Sequence, residues 1–387
     1  MVRTQTYDIA VIGGGISGCT FSSEIINNGY RGRLCIIESG RNLGGRASSR
    51  ISRKNKDFVL NHGSPFINFT FEQDNLLLNK FIERLLINRI IYKDKSQYLE
   101  VNEKGEFVAK VTSKFTKGRI YQANDSMTSL CEKILDLKDN KNLIDYFFNT
   151  LITKLEFKKG FWYLQANNGN IFRSKFIIIS SSLILHKRSK EILNLGEIPL
   201  SSALSNSQNG NIEKVLDLLN YQLSIKRISC LIYPKINYDF KDSYKQKNRY
   251  ISFNNKAENK YFFERIFFQR QKNKRIGLVI QIRNKKFIEK FFYYKNEAFL
   301  KERIINQFNI LFHNNNLINK IYDFDDIAIM RWNSSQPSGK GLPSDLQFCK
   351  ESNIGFCGDW IQSRGFGRIE GAIYSALKLS TIINNFI

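Results

Sequence analysis

The residues of this chain best suited to chemistry are glycines rather than acids or bases. Gly13, Gly15 and Gly18 follow an apolar run, residues 9–12, that reads as a buried parallel strand. In that setting Gly13 permits a tight turn, Gly15 lets backbone approach a pyrophosphate, and Gly18 lets the next helix pack close to the strand. The phosphates would then lie at the positive end of a helix opening at Ile16 and Ser17. A second apolar strand ends at Glu38, 20 residues past Gly18, where a carboxylate, with Ser39 beside it, can accept from ribose hydroxyls. Strand, glycine turn, amphipathic helix and acid in this order make a dinucleotide-binding unit. Gly44, Gly45 and Arg46 follow it. A second glycine cluster stands near the other end, with Gly358, Asp359 and Trp360 and then Gly365, Gly367, Arg368, Gly371 and Ala372.

Other chemistry is scarce. Six cysteines are scattered without a C-x-x-C pair, and the histidines number only three, His62, His186 and His313, so no metal site is expected. The cysteines sit mostly among apolar neighbours and read as buried, reduced thiols. A chain of 387 residues is too long for one core, and two domains are expected. Its longest nearly apolar run, 176–185, falls short of the roughly 18 to 20 residues that span a bilayer. The first strand begins within about ten residues of Met1, leaving no space for a leader. The expected setting is therefore cytoplasmic, without integral membrane contact. The net charge is +24, and half of it lies in residues 241–303, where 18 Lys and Arg stand against 6 Asp and Glu. That stretch is either a solvated basic face or a field that draws phosphorylated small molecules. Nucleic acid is not the expected partner, since no reader motif accompanies the charge.

The elements that must position these residues follow from periodicity. A helix is predicted within 71–91, strands at 97–101 and 106–112, and a helix capped by Ser126 that runs to about Leu137. Strands follow at 151–157, 161–165, 170–173 and 176–180, with a turn at Asn167 to Gly169. In the basic stretch, strands at 262–269 and 276–282 are joined by a turn at 272–274, and 287–312 is helical. The paired phenylalanines there read as core.

With these residues in place, the chain resembles the flavin-dependent amine-oxidase superfamily, and within it the renalase-like proteins. The resemblance rests on the N-terminal glycines with Glu38, on Leu43, Gly44, Gly45 and Arg46, and on the segment from Asn61 to Phe66. It rests further on Met127 to Leu130, Phe161 and Trp162, Arg331 and Trp332, and Gly358 to Trp360 with Arg368 to Ala372. It implies an α/β, two-domain, FAD-binding Rossmann-type fold (amine-oxidase/glutathione-reductase-like) with a mixed-sheet α+β substrate domain. The FAD-binding domain would comprise 1–60, 126–185 and 345–387, and the substrate domain 61–125 and 186–344.

Carried over residue by residue, Gly13, Gly15 and Gly18 would cradle the pyrophosphate of a noncovalent FAD, and Glu38 would hold the adenosine ribose. Gly45 and Arg46 would lie along the pyrophosphate and near the flavin, with Gly63 in a flavin-facing loop. Ile152 would meet adenine through its backbone, and Asp359, after Gly358, would orient the ribityl chain. The helix starting near Gly371 and Ala372 would aim at the flavin pyrimidine edge. His62 would polarise the flavin or substrate, or else be a packing residue. Arg331 and Trp332 would form a substrate wall, or else a cation–π pair between domains. The chain departs from the family at three places: no glycine precedes Met127, Ser181, Ser182 and Leu183 replace a proline turn, and Ser64 and Pro65 follow Gly63 where a glutamine is usual.

The implied reaction is hydride transfer from a reduced nicotinamide dinucleotide, possibly an isomeric NAD(P)H, to FAD, with oxygen as acceptor. The alternatives are an amine or amino-acid oxidase, an isoprenoid or carotenoid desaturase-like enzyme, and a non-catalytic flavin-binding protein.

Overall fold

The strand Thr4–Ile12 is apolar from Ile9 onward, and in the computed structural model it lies between two parallel partners, Leu34–Ile37 and Ile171–Ile179. A continuous Ile/Val run fits a strand covered on both faces. The structure describes residues 4–109, 111–112, 116–137, 143–192, 194–204, 210–235, 249–272, 274–314 and 323–387. Residues 241–248 of the basic stretch and Asn273 of the expected turn lie outside the described residues. Beyond Leu34–Ile37 the first sheet adds Ile144–Phe147, again parallel. The far edge of Ile171–Ile179 is shared. Trp162 to Gln165 pair antiparallel with its first half, and Ile354–Phe356 pair parallel with its last three residues. The two strands predicted at 170–173 and 176–180 are therefore one. The polar break at Ser174 and Lys175 marks a change of partner, and Ser174 donates its hydroxyl to the Phe176 carbonyl (2.7 Å).

The helix after the glycine turn, Ile16–Asn27, is not amphipathic as predicted. It is buried on nearly all sides, between the sheet, the Met127–Leu135 helix and the C-terminal helix Ile369–Asn384. Even Glu24 is buried, paired with Arg84 of the Leu76–Ile87 helix (2.5 Å). The predicted cap at Ser126 forms: its hydroxyl accepts from the Ser129 N–H, and the Ser129 hydroxyl in turn serves the Ser126 N–H. All six cysteines are buried and free.

The second sheet orders its strands Phe324–Ser338, Leu223–Pro234, Ile276–Ile282, Arg265–Arg270, Arg249–Phe253, Gln97–Val101 and Phe107–Val108. Its two faces follow from the period-2 alternation of strands. Ile228, Cys230, Ile266, Phe268, Leu278 and Ile280 point into a layer of helices, Asn255–Tyr261, Lys285–Phe291 and Glu297–Asn314. The intervening residues face the other way: Phe267 and Val279 pack with Phe58 and Leu60, Ser229 and Gln281 donate to the His62 carbonyl (3.2 and 3.0 Å), and Arg227 and Arg265 border a cavity. The single helix predicted at 287–312 is two, because Asn296 restarts it by accepting from the Phe299 N–H (3.1 Å). Residues 61–125 divide between the layers. The strands 97–101 and 107–108 join the second sheet, while the Leu76–Ile87 helix packs in the core of the first. The paired phenylalanines are core, as predicted, with Phe263, Phe268, Phe291 and Phe292 all buried.

The inward face of the second sheet carries a buried ion cluster. Arg227 grips Glu264 with two hydrogen bonds (2.7 and 2.9 Å), while Arg265 and Arg283 stand 3.7 and 3.5 Å from the same carboxylate. Burial alone would raise the Glu264 carboxyl, but the three guanidiniums outweigh it and hold it at about 2. Removing that shared partner leaves buried cations facing one another. Glu264→Ala should lower the unfolding free energy by about 3–5 kcal/mol. Glu289→Ala, which breaks the exposed Lys285–Glu289 pair, should change it by less than about 0.5 kcal/mol. Urea unfolding followed by tryptophan fluorescence measures both, and equal small losses would contradict a stabilising role for the cluster.

Candidate functional site

Four parallel strands of the first sheet end at the same side, and the residues just past them, Gly13, Glu38, Ser180 and Asp359, border one cavity of about 530 Å³. Ligands of open α/β sheets bind at such carboxyl ends, and the volume is that of a ligand pocket. The opposite wall is the inward face of the second sheet, with Arg227, Arg265, Gln281, Trp332 and Ser334 to Gln336. A second cavity, about 600 Å³, lies past Pro65 and Phe66 among Lys56, Asp94, Asp125 and Lys272, and none of the predicted site residues reaches it.

The glycines of the first turn have separate tasks. A side chain on Gly18 would put its Cβ 2.1 Å from the Gly13 carbonyl oxygen, so this glycine lets the helix lie against the turn and does not border the cavity. A Cβ on Gly15 would meet no protein atom within 4 Å. It would stand in the cavity, so the bare backbone there is required by whatever fills the space. Glu38 is fixed by two backbone donors, the Gly14 N–H (2.7 Å) and the Gly40 N–H (2.6 Å), with Ser39 beside it.

Arg46 and Asp359, expected to serve separate parts of a cofactor, meet in a two-pronged pair (2.8 and 2.6 Å) on the wall. Ile16, Ser17, Gly45, Gly63, Ile152 and Ala372 border the cavity. Gly358 and Gly371 do not. The Gly358 N–H is taken by the Ser375 hydroxyl (2.9 Å), and a Cβ on Gly371 would fall 2.3 Å from the Gly365 oxygen, so both hold the C-terminal loop to its helix. That helix starts at Ile369, with no side chain capping it, and Gly367, Arg368 and Ile369 stand at the wall. Glu370, fully buried, accepts from the Phe71 N–H (3.0 Å) and from Arg368 (2.6 Å), which clasps the helix start in place.

The three residues considered for catalysis separate. His62 is buried behind the wall rather than in it, with its ring stacked on Trp332 (centroids 5.1 Å) and Nε2 3.2 Å from the Ser48 hydroxyl. Burial, with Arg50 nearby, pulls its pKa down to about 4, so the ring is neutral near pH 7. Trp332 is in the wall. Arg331 reaches the wall too but is paired with Glu297 of the helix layer (2.8 Å). Arg331 and Trp332 form no cation–π pair, because successive strand residues point to opposite faces.

Of the second-sheet wall, sequence reasoning named only Arg331 and Trp332. Arg227, Arg265 and Gln281 sit where an alternating strand places its polar side, a signal indistinguishable from a solvated face. The segment from Ser181 to Leu183, singled out in the sequence, forms a turn, Ser182–Leu185, capped by Ser181 and standing at the wall. Among the described residues no group of three or more His, Cys, Asp or Glu could hold a metal ion, and no helix is long and apolar enough to cross a membrane.

A parallel sheet bearing a glycine turn and a terminal acid, roofed by a second mixed sheet, defines a dinucleotide-binding fold of two layers. Comparison with known proteins agrees. Residues 11–85 match the NAD(P)-binding Rossmann-like domain family. No curated protein matches the sequence. Among solved structures, the fold is similar to that of a protein from Exiguobacterium sp. 255-15 named "putative protoporphyrinogen oxidase", with TM-score 0.65, 10% identity and 100% of both chains covered. It is also similar to putrescine oxidase bound to putrescine, with TM-score 0.67, 10% identity, and 98% of this chain and 99% of that chain covered. The fold is thus the amine-oxidase-like one that the sequence resemblance implies.

Two outcomes follow from this geometry. Gly15→Val should leave the ligand-free protein as stable as wild type but abolish dinucleotide retention, whereas Gly18→Val should lower the melting temperature by many degrees. Calorimetry and ultrafiltration read the two effects, and loss of stability in Gly15→Val would mean the space is not a ligand's. The second outcome concerns the buried histidines, His62 and His186, both pulled down to about 4 by burial, with Arg50 and Arg188 respectively adding to the effect. Unfolded, they titrate near 6.5, so between these values the unfolded chain binds more protons. Stability should fall as pH drops from about 6.5 toward 4. His62→Gln should flatten part of that slope in melting curves, and an unchanged slope would contradict the burial argument.

Proposed function

We propose that this chain is an FAD-dependent oxidoreductase of renalase type, which oxidises a reduced nicotinamide dinucleotide by hydride transfer, with oxygen as the final acceptor. The observation that carries the cofactor is the convergence on one cavity of Gly15, Glu38, Asp359 and the uncapped start of the Ile369–Asn384 helix, drawn from distant parts of the chain. The open space over Gly15 fits a pyrophosphate, Glu38 a ribose, the Ile152 backbone adenine, and Asp359 with Arg46 the middle of the molecule. The helix start offers unsatisfied N–H groups to a developing negative charge. When bound, FAD supplies a two-electron acceptor for hydride and passes the electrons on.

The protein's part is positioning and exclusion of water, which hydride transfer needs more than an acid–base pair. Trp332, Phe66, Leu183 and Ile184 supply apolar wall for that purpose. Five arginines, Arg46, Arg227, Arg265, Arg331 and Arg368, border the cavity, and each is paired: Arg46 with Asp359, Arg227 and Arg265 with Glu264, Arg331 with Glu297, and Arg368 with Glu370. The support for a phosphorylated donor over a cationic amine is instead the basic surplus of the chain, net charge +24.

Purified protein should release FAD on heating, with no covalent adduct by mass spectrometry. Mixed anaerobically, ordinary or isomeric NAD(P)H should bleach the flavin faster than putrescine or benzylamine, and added salt should weaken donor capture. Faster bleaching by amines, with the dinucleotides inert, would transfer the protein to the amine-oxidase reading. No bleaching by any donor would leave a non-catalytic flavoprotein.

A further inference from the structure

The segment 181–188 begins with Ser181, Ser182 and Leu183, the residues that stand where a proline turn was expected, and it builds something of its own. After the Ser182–Leu185 turn at the cavity wall, the chain buries His186, and Arg188, which does not itself line the cavity, lies behind the wall residue Ser334. His186 Nδ1 accepts from both the backbone N–H and the side-chain Nε–H of Arg188 (3.0 Å each). Its proton must therefore sit on Nε2, which donates to the Gln222 carbonyl (3.0 Å). The ring cannot turn without breaking all three bonds. Thus held, the Arg188 guanidinium donates through Nη1 to the Ser334 hydroxyl (2.9 Å) in the cavity wall.

The charge of Arg188 is unmatched. It is half-buried, and among the described residues no carboxylate pairs with it. The nearby Arg46 guanidinium adds like charge, and burial together with Arg46 pushes Arg188 below its ordinary pKa. Arg46 has Asp359, but Arg188 has only neutral partners. A half-buried cation fixed beside another cation is costly until an anion joins it. A planar guanidinium already oriented by a histidine and a serine is suited to a phosphate.

We propose that Arg188, fixed by His186 and Ser334, binds a phosphate of a dinucleotide held in the cavity. This rests on the reading of the cavity as a dinucleotide site. The phosphate belongs either to the donor or to the cofactor, and the test separates them.

On FAD-loaded protein, Arg188→Gln is compared with wild type in four measurements. These are calorimetric binding of inorganic pyrophosphate, FAD retention on dilution, and anaerobic reduction by NADH and by the phosphate-free N-benzyl dihydronicotinamide. If the phosphate is the donor's, pyrophosphate binding and NADH capture should weaken roughly 10- to 100-fold, with FAD retention and the benzyl donor unchanged. If it is the cofactor's, FAD retention should weaken by that factor, and loaded wild type should not bind pyrophosphate. Arg188→Lys, which keeps the charge, should lose less than Arg188→Gln. His186→Gln, which keeps an acceptor toward Arg188 and a donor toward Gln222, should retain binding that His186→Leu loses. No change in any measurement, or equal loss with both donors at unchanged FAD retention, would overturn the proposal. Pyrophosphate binding that depends on Arg188, with no reduction by any dinucleotide, would uphold this site and sink the proposed reaction instead.

Discussion

The parallel pairing of Thr4–Ile12 with Ile171–Ile179 is the constraint on which the rest of the molecule hangs. It joins segments 167 residues apart and sets the register that places Ser180 against the glycine turn, where its hydroxyl donates to the Gly13 carbonyl (2.9 Å). The other edge of Ile171–Ile179 receives Ile354–Phe356, which delivers Asp359 to the same end. One strand therefore collects the N-terminal turn, the Ser182–Leu185 turn and the C-terminal loop. The second sheet, Leu223–Pro234 through Phe324–Ser338 with Gln97–Val101 and Phe107–Val108, is built from segments that leave this layer and return to it.

The cover solves a different problem. A sheet face that looks onto a cavity needs polar groups for the ligand, yet each must be satisfied when water leaves. Here Arg227 and Arg265 of the second sheet are tied through Glu264, and Gln281 donates to the carbonyls of His62 and Gly63 (3.0 and 2.7 Å), which ties the roof to that loop of the floor. The field of the cavity is thus set by groups whose positions are fixed before a ligand arrives, the condition for preorganised electrostatics. The large surplus charge of the chain as a whole has no such order: Lys285 and Lys272, for example, are almost fully exposed.

What could be read from sequence was what is local. Gly13, Gly15, Gly18 and Glu38 announce themselves within one strand–helix–strand unit, and Ser126 and the strand Ile276–Ile282 are each visible within a few residues. Burial of the Ile16–Asn27 helix was not legible, because whether its serines face water depends on the C-terminal helix over 300 residues away. The strands Leu223–Pro234 and Phe324–Ser338 pair along most of their length, yet neither was anticipated. The second of these is polar and half-buried throughout much of its course, since it forms an edge of the sheet and meets the cavity at one end. The stack of His62 on Trp332 joins positions 270 residues apart and has no local signature. Near neighbours such as His62 and Gly63 looked equally suited to the site, but only one of them touches the cavity.

The burial of all six cysteines has a consequence for durability. A flavoprotein that hands electrons to oxygen would release peroxide at its own cavity, and peroxide attacks thiolates rather than thiols. None of the six borders the cavity. Burial pushes Cys230, Cys349 and Cys357 up to about 12, and Cys19 and Cys35 well above the ordinary thiol value. The sulfur most easily damaged by such a product is thus kept protonated and out of its path, so repeated turnover would not erode the core that holds the cavity open.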